Sequence, residues 1–113
     1  MTPYYESKIY LDKYEKNLKK IIEYSKKNDL NVKFVLMPYK HQIKKNCELN
    51  LMKPQNEINN MFKRSNFKLF DFSGDFCDKK DNRKLFLRFD PMHLSSYGHQ
   101  FVSNLLIKNN IVN

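Results

Sequence analysis

The hydrophobic positions of the chain change their spacing between its first and second segments. Residues 8–28 place leucine, tyrosine and isoleucine three and four residues apart among lysines and acids, which predicts an amphipathic helix. Ser7 is its predicted N-cap, and residues 28–29 are its predicted stop. Residues 32–37 then form a short apolar run that Pro38 ends. Such a run predicts a strand that is buried on both faces of a parallel sheet.

The rest of the chain continues this alternation of helix and strand. Residues 39–53 are polar and are expected to be irregular, whereas Pro54 and the apolar positions after it predict a second, shorter helix. We then expect a strand at 66–72, a loop at 73–83, a short extended or turn segment at 84–89 and a last helix capped by Ser95 or Ser96. The phenylalanines of the extended segments are expected in the core: Phe34, Phe70, Phe72, Phe86 and Phe89.

The order of these elements is typical of an α/β fold whose parallel sheet is built by right-handed crossovers. Two or three strands make only a thin sheet, and this indicates that strands are missing on its N-terminal side. We therefore expect residues 1–113 to form a single partial α/β domain.

Composition narrows the classes of partner. The chain carries 21 Lys and Arg against 12 Asp and Glu, a formal charge of +9. The lysines are spread through every segment and only three basic residues are arginine, whereas nucleic-acid-binding proteins concentrate basic residues on one face and favour arginine. We therefore expect no nucleic-acid partner.

Other features of composition bear on the compartment. No apolar run approaches the ~20 residues that a membrane span needs, and no signal peptide opens the sequence. As written, the chain is predicted to be soluble and cytoplasmic, without a membrane partner.

Cys47 and Cys77 match no Cys-x-x-Cys pattern and are predicted to be reduced, half-buried thiols.

Candidate chemistry is concentrated in "FDPMHLSSYGHQF", residues 89–101. Asp90 stands three residues before His93 in a turn that Pro91 stiffens, so the two side chains can fold together. A carboxylate that orients a histidine makes the imidazole a competent general base, and such groups gather beyond the carboxyl ends of parallel strands. The alternative is a loop histidine bonded to a nearby acid at the entry to a helix. A metal site of Asp90, His93 and His99 matches no familiar ligand spacing.

This segment resembles the last block of the SGNH hydrolases, also called GDSL esterases and lipases, which reads Asp-x-x-His, then a small polar residue, a glycine and a helix. The matching positions are Asp90, His93, Ser95 and Gly98. Upstream, "YEKNLKKIIEYSKKNDLNVKFVLMP" and "NFKLFDF" are similar to the helix and strands that precede that block. The resemblance covers nearly the whole chain but only the second half of the family's domain.

The resemblance implies a flavodoxin-like three-layer sandwich with a parallel sheet, no cofactor, and hydrolysis or transfer of an acyl group through an acyl-serine. The substrate would be a small ester or an acylated saccharide. By resemblance, His93 is the general base and Asp90 is its orienting carboxylate.

The same resemblance leaves the nucleophile unassigned. The family's Gly-Asp-Ser and oxyanion-hole blocks come before the region that this chain matches. Gly74-Asp75 is followed by Phe76 and not by serine. We therefore expect the chain alone to be close to inactive, with a separate N-terminal segment carrying the serine. The rival hypothesis is a small α/β binding or interaction module without catalysis.

Overall fold

The computed structural model describes the backbone of residues 4–112 and the side chains of residues 8–112. The helices are α1 (Tyr4–Lys27), α2 (Lys40–Lys44), α3 (Lys53–Arg64), α4 (Ser73–Asp78) and α5 (Ser96–Lys108), with a 3₁₀ helix at Asn82–Leu85. The strands are β1 (Phe34–Leu36) and β2 (Leu69–Asp71). The predicted α/β character is confirmed in this mixed architecture.

β1 and β2 pair in parallel, and the connection between them contains α2 and α3. Phe34 lies opposite Leu69 and Leu36 opposite Asp71, and the Phe72 N–H adds a bond of 2.8 Å to the Leu36 carbonyl. Both strands are shorter than predicted. The expectation that the first strand is buried on both faces is wrong, because all three β1 side chains are only half-buried.

The two faces of this small sheet contribute to different hydrophobic clusters, since successive strand side chains point to opposite sides. Phe34 and Leu69 pack against α1 and α3, whose buried members are Leu18, Ile22, Met61 and Phe62. Val35 and Phe70 pack against the other cluster, whose buried members are Ile43, Phe72, Phe76, Leu85, Phe86 and Leu105. Helices therefore cover both faces of the sheet.

The three long helices end in the same way. The second residue after each one has a left-handed backbone: Asp29 (φ 55°), Asn66 (φ 52°) and Asn110 (φ 56°). The residue after each of these donates its N–H to a carbonyl five positions back, as in a Schellman motif, for example Leu30 to Ser25 at 2.8 Å. The predicted stop at 28–29 is thus confirmed. Asn and Asp tolerate the left-handed region better than other non-glycine residues, and they take this role in a chain with only two glycines.

Three local predictions are wrong. Residues 39–53 include the helix α2, and the predicted loop at 73–83 contains α4 and the start of the 3₁₀ helix. Helices of five or six residues are too short to show a 3.6-residue period, so the pattern could not reveal them. Ser7 lies inside α1 and is not its N-cap.

The prediction of two reduced thiols is also wrong, because Cys47 and Cys77 form a disulfide. They are 30 residues apart in sequence, and the connection through α3 and β2 brings their Cα atoms to 6.0 Å. Spacing along the sequence carries no sign of this proximity. Disulfides persist in oxidising compartments, so this bond counts against the expectation of a cytoplasmic chain.

The first turn of α5 lies directly against the backbone of the 3₁₀ helix. Ser95 caps α5 as predicted, because its hydroxyl accepts the Gly98 N–H at 3.0 Å. The same hydroxyl bonds to the Lys84 carbonyl, and the Ser95 N–H donates to the Leu85 carbonyl at 3.0 Å. A Cβ atom at Gly98 would overlap that Leu85 carbonyl. Glycine is therefore required here by close approach and not by a positive φ.

We predict that Gly98→Ala destabilises the protein although alanine is the better helix former. The overlap is with backbone, so relief requires α5 to move, and we expect a loss of about 2 kcal/mol or more in the free energy of unfolding. Gly74→Ala is the matched control, since a Cβ there meets nothing within 4 Å and lies in α4. It should be neutral or stabilising by up to about 1 kcal/mol. Urea denaturation measures both, and equal effects would contradict the close-approach explanation.

Removal of the disulfide should destabilise the protein. The bond closes a loop across 30 residues of sequence, for which the chain-entropy model gives about 3.5 kcal/mol. Cys47→Ser/Cys77→Ser should therefore unfold at lower urea concentration than the oxidised protein. Reductant should lower the midpoint of the wild type and leave the double variant unchanged. Two thiols that can be alkylated in the folded protein purified without reductant would contradict this account.

Candidate functional site

The Asp90–His93 turn lies between the 3₁₀ helix and α5 and is closed by backbone bonds. Phe86 and Leu94 form an isolated antiparallel bridge across its base. Inside this bridge, the Leu87 N–H donates to the His93 carbonyl at 2.9 Å, and the Asp90 N–H donates to the Leu87 carbonyl at 3.2 Å. The turn is therefore short and held at its base.

The Asp90 carboxylate shapes this turn and also contacts the imidazole. Its Oδ1 accepts the backbone N–H groups of Met92 and His93, each at 2.9 Å. Its Oδ2 lies 2.7 Å from His93 Nδ1. The Met92 N–H, then the His93 N–H and the His93 imidazole, lower the pKa of Asp90 from 3.8 to about 2. The carboxylate is therefore ionised at any pH at which the protein would work.

His93 is oriented by this contact and is open on its other side. Ionised Asp90 can only accept a hydrogen bond. Because His93 Nδ1 lies 2.7 Å from this carboxylate, the proton of the neutral imidazole is on Nδ1. Nε2 then holds the lone pair. The side chain is 77% exposed, so Nε2 is accessible to a reacting group. This is the arrangement that a general base requires.

Contacts with Lys40 hold the Asp90–His93 turn near the carboxyl end of β1. This is the edge at which the candidate residues of an α/β sheet were predicted to lie. Lys40 comes four residues after the end of β1, and its N–H donates to the Pro91 carbonyl at 3.1 Å. Its ammonium donates to the carbonyls of Leu87 at 2.9 Å and Arg88 at 2.6 Å. Lys40 is not among the residues predicted from the sequence, and its position just beyond a strand was the only signal for it.

A buried pair of glutamines fixes α2, and thereby Lys40, against α3. Gln42 and Gln55 are 5% and 4% exposed, and their amides exchange bonds of 2.8 and 2.9 Å. Gln42 also accepts the Tyr39 N–H at 2.7 Å and donates to the Leu51 carbonyl at 2.7 Å. These bonds satisfy the buried amides, whose burial without partners would be costly.

The described part of the chain offers His93 no nucleophile. No hydroxyl or thiol in residues 8–112 is hydrogen-bonded to its Nε2. Ser73, beside the Gly74-Asp75 pair, is 6% exposed, and its hydroxyl has no hydrogen-bond partner in the structure. Ser95 is engaged in capping α5, and both cysteines are in the disulfide.

The other predicted residues are not drawn into the site. His99 is exposed, and the described residues contain no cluster of three His, Cys, Asp or Glu side chains that could hold a metal ion. Phe89 was expected in the core, and this is wrong: it is 91% exposed, with the Arg88 guanidinium 5.2 Å from its ring centre.

Within the described residues, the helices are all too short or too polar to cross a membrane.

We predict that Asp90 titrates near pH 2 in the folded protein, below the 3.8 of an unconstrained aspartate. Because the folded-state pKa is the lower one, ionised Asp90 stabilises the fold. That contribution is fully present above about pH 4 and is lost as the pH falls toward 2. The ¹³C shift of the carboxyl group gives the midpoint. The difference in unfolding free energy between the wild type and Asp90→Asn should change over the same range, and a midpoint near 3.8 would contradict the bonding described above.

Comparisons of the chain with protein-family models, with curated proteins and with solved structures found no match in any of the three.

Proposed function

We propose that this chain carries the acid–base half of an SGNH-type serine esterase site. The observation that carries the proposal is the 2.7 Å contact between Asp90 Oδ2 and His93 Nδ1, with Nε2 open to solvent. Its location beyond the carboxyl end of β1 supports the same conclusion, as do the Ser95 cap and the close contact at Gly98 after it.

The proposed fold is the flavodoxin-like three-layer sandwich of that family, of which this chain forms a part. Helices on both faces of a parallel sheet support it. The sheet has two strands, so each of them has one open edge at which a further strand of such a sandwich would pair.

The proposed reaction is the hydrolysis or transfer of an acyl ester. His93 Nε2 would take the proton of a serine hydroxyl as that oxygen attacks the ester carbonyl, and would then give it to the leaving alcohol. Asp90 would remain ionised and stabilise the imidazolium. The serine and the oxyanion donors would come from a separate N-terminal segment, and the substrate would be a small ester or an acylated saccharide. Loss of even one oxyanion donor costs about 10²–10³ in rate, so the chain alone should have little activity.

A fluorophosphonate probe, which labels activated serines, tests this proposal. We expect no labelling of the chain alone, and labelling of a protein or mixture that joins it to a Gly-Asp-Ser segment encoded upstream or in a neighbouring gene. His93→Ala should abolish that labelling, with a loss of about 10³-fold or more. His99→Ala is the matched control, because His99 is an exposed histidine on α5, and it should label as the wild type does.

Strong labelling of the chain alone would contradict the assignment of a missing nucleophile. Equal losses in the two histidine variants would contradict the assignment of His93.

The rival proposal is a binding or interaction module in which Asp90 and His93 only shape the entry to α5. One observation favours it: the Asp90 carboxylate accepts the backbone N–H groups of both Met92 and His93, and these bonds shape the turn without the imidazole. Asp90→Asn separates the two proposals, because an amide oxygen can still accept the backbone N–H groups. A catalytic pair predicts lost labelling with the fold intact. A binding module predicts no labelling at all, in the wild type or in the variant.

A further inference from the structure

A groove lies beside the Asp90–His93 turn, between α2 and the 3₁₀ helix. Its volume is about 350 Å³, and apart from Phe86 every residue that lines it is basic: Lys40, Lys44, Arg83, Lys84 and Arg88. These residues come from two separate parts of the sequence, 40–44 and 83–88, which explains why the even spread of lysines along the chain did not reveal them.

No acid of residues 8–112 forms an ion pair with a cation of this groove. The ion pairs found in the described residues are Lys8 with Asp12, Arg64 with Glu15, and His93 with Asp90, and none of them involves a groove residue. Lys40 is held by backbone carbonyls, which keep its ammonium in place without cancelling its charge. Five like charges around one concavity repel one another, and an anion between them would relieve that repulsion.

The lining also contains the side chains that are best suited to bind anions. The guanidinium groups of Arg83 and Arg88 can each donate two parallel hydrogen bonds to a carboxylate or a phosphate. Phe86 supplies an apolar wall, and the exposed ring of Phe89 stands next to Arg88. The volume suits one anionic group on a body about the size of a sugar ring, whereas a nucleic acid would need a longer basic track.

We propose that this groove binds a small organic anion through a carboxylate or a phosphate group. The proposal goes beyond the esterase proposal and does not depend on it, since it rests on the groove alone. Arg88 and His93 belong to the same turn, which Lys40 fixes to α2.

Titration of the full chain followed by ¹H–¹⁵N NMR, at constant ionic strength, tests the proposal. The probes are inorganic phosphate and glucose 6-phosphate for the phosphate arm, acetate and glucuronate for the carboxylate arm, and glucose as the neutral control. We expect saturable shifts confined to α2, the 3₁₀ helix and residues 86–93, with no response to glucose. The class of anion that binds more tightly, phosphate or carboxylate, identifies the anionic group that the groove recognises.

Two triple variants with equal charge change provide the comparison. Lys44→Gln/Arg83→Gln/Arg88→Gln removes three cations of the groove, and Lys16→Gln/Lys20→Gln/Lys27→Gln removes three exposed cations of α1. The groove variant should bind the anion at least about tenfold more weakly, because it loses charge-assisted hydrogen bonds. The α1 variant should change affinity by less than about twofold, since exposed charges at a distance are screened. Circular dichroism confirms that both remain folded.

Three outcomes would overturn the proposal. The first is no saturable shift with any anion. The second is equal weakening in both triple variants, which would show a general effect of net charge. The third is tighter binding of a short oligonucleotide than of glucose 6-phosphate, lost in the groove variant, which would identify the groove as part of a nucleic-acid site.

Discussion

The contact between the first turn of α5 and the backbone of Lys84 and Leu85 determines the geometry of the candidate site. Leu85 is fully buried, so its carbonyl is a fixed point in the core. It accepts the Ser95 N–H and lies against Gly98, which sets where α5 begins. The chain must leave this point and return to it within about ten residues. The bridge between Phe86 and Leu94 holds the two ends together, and Asp90 determines how the chain turns between them.

Phe86 and Leu94 anchor the base of this turn in the hydrophobic core, and polar groups hold the rest of it. Lys40 binds its carbonyls, and the buried glutamine pair fixes the helix that carries Lys40. The disulfide then ties the segment after α2 to the end of α4. This explains how exposed residues such as Phe89 and His93 can occupy defined positions: their backbone is fixed even though their side chains bury little surface.

The sequence was most informative where the structure is local. The Asp90–His93 contact follows from a three-residue spacing within one turn, and the Ser95 cap from the residue type that precedes a helix. It was least informative where distant segments meet. The disulfide, the glutamine pair and the role of Lys40 depend on contacts across 30, 13 and 47 residues, which no local pattern encodes. Phe89 was misplaced because the extended run that contains it pairs only at Phe86 and then turns into solvent.

The lack of space for a side chain at Gly98 affects how a genetic selection would identify functional residues in this region. A clash with a main-chain oxygen cannot be relieved by a rotamer change, so every other amino acid at this position meets the same obstacle. In a selection for activity among random variants, position 98 would accept as few substitutions as a catalytic histidine does. Glycine nevertheless has no side chain that could react. Survival data alone would therefore mark Gly98 as part of the catalytic machinery. Only a parallel record of protein abundance in the same cells would separate this geometric constraint from a chemical one.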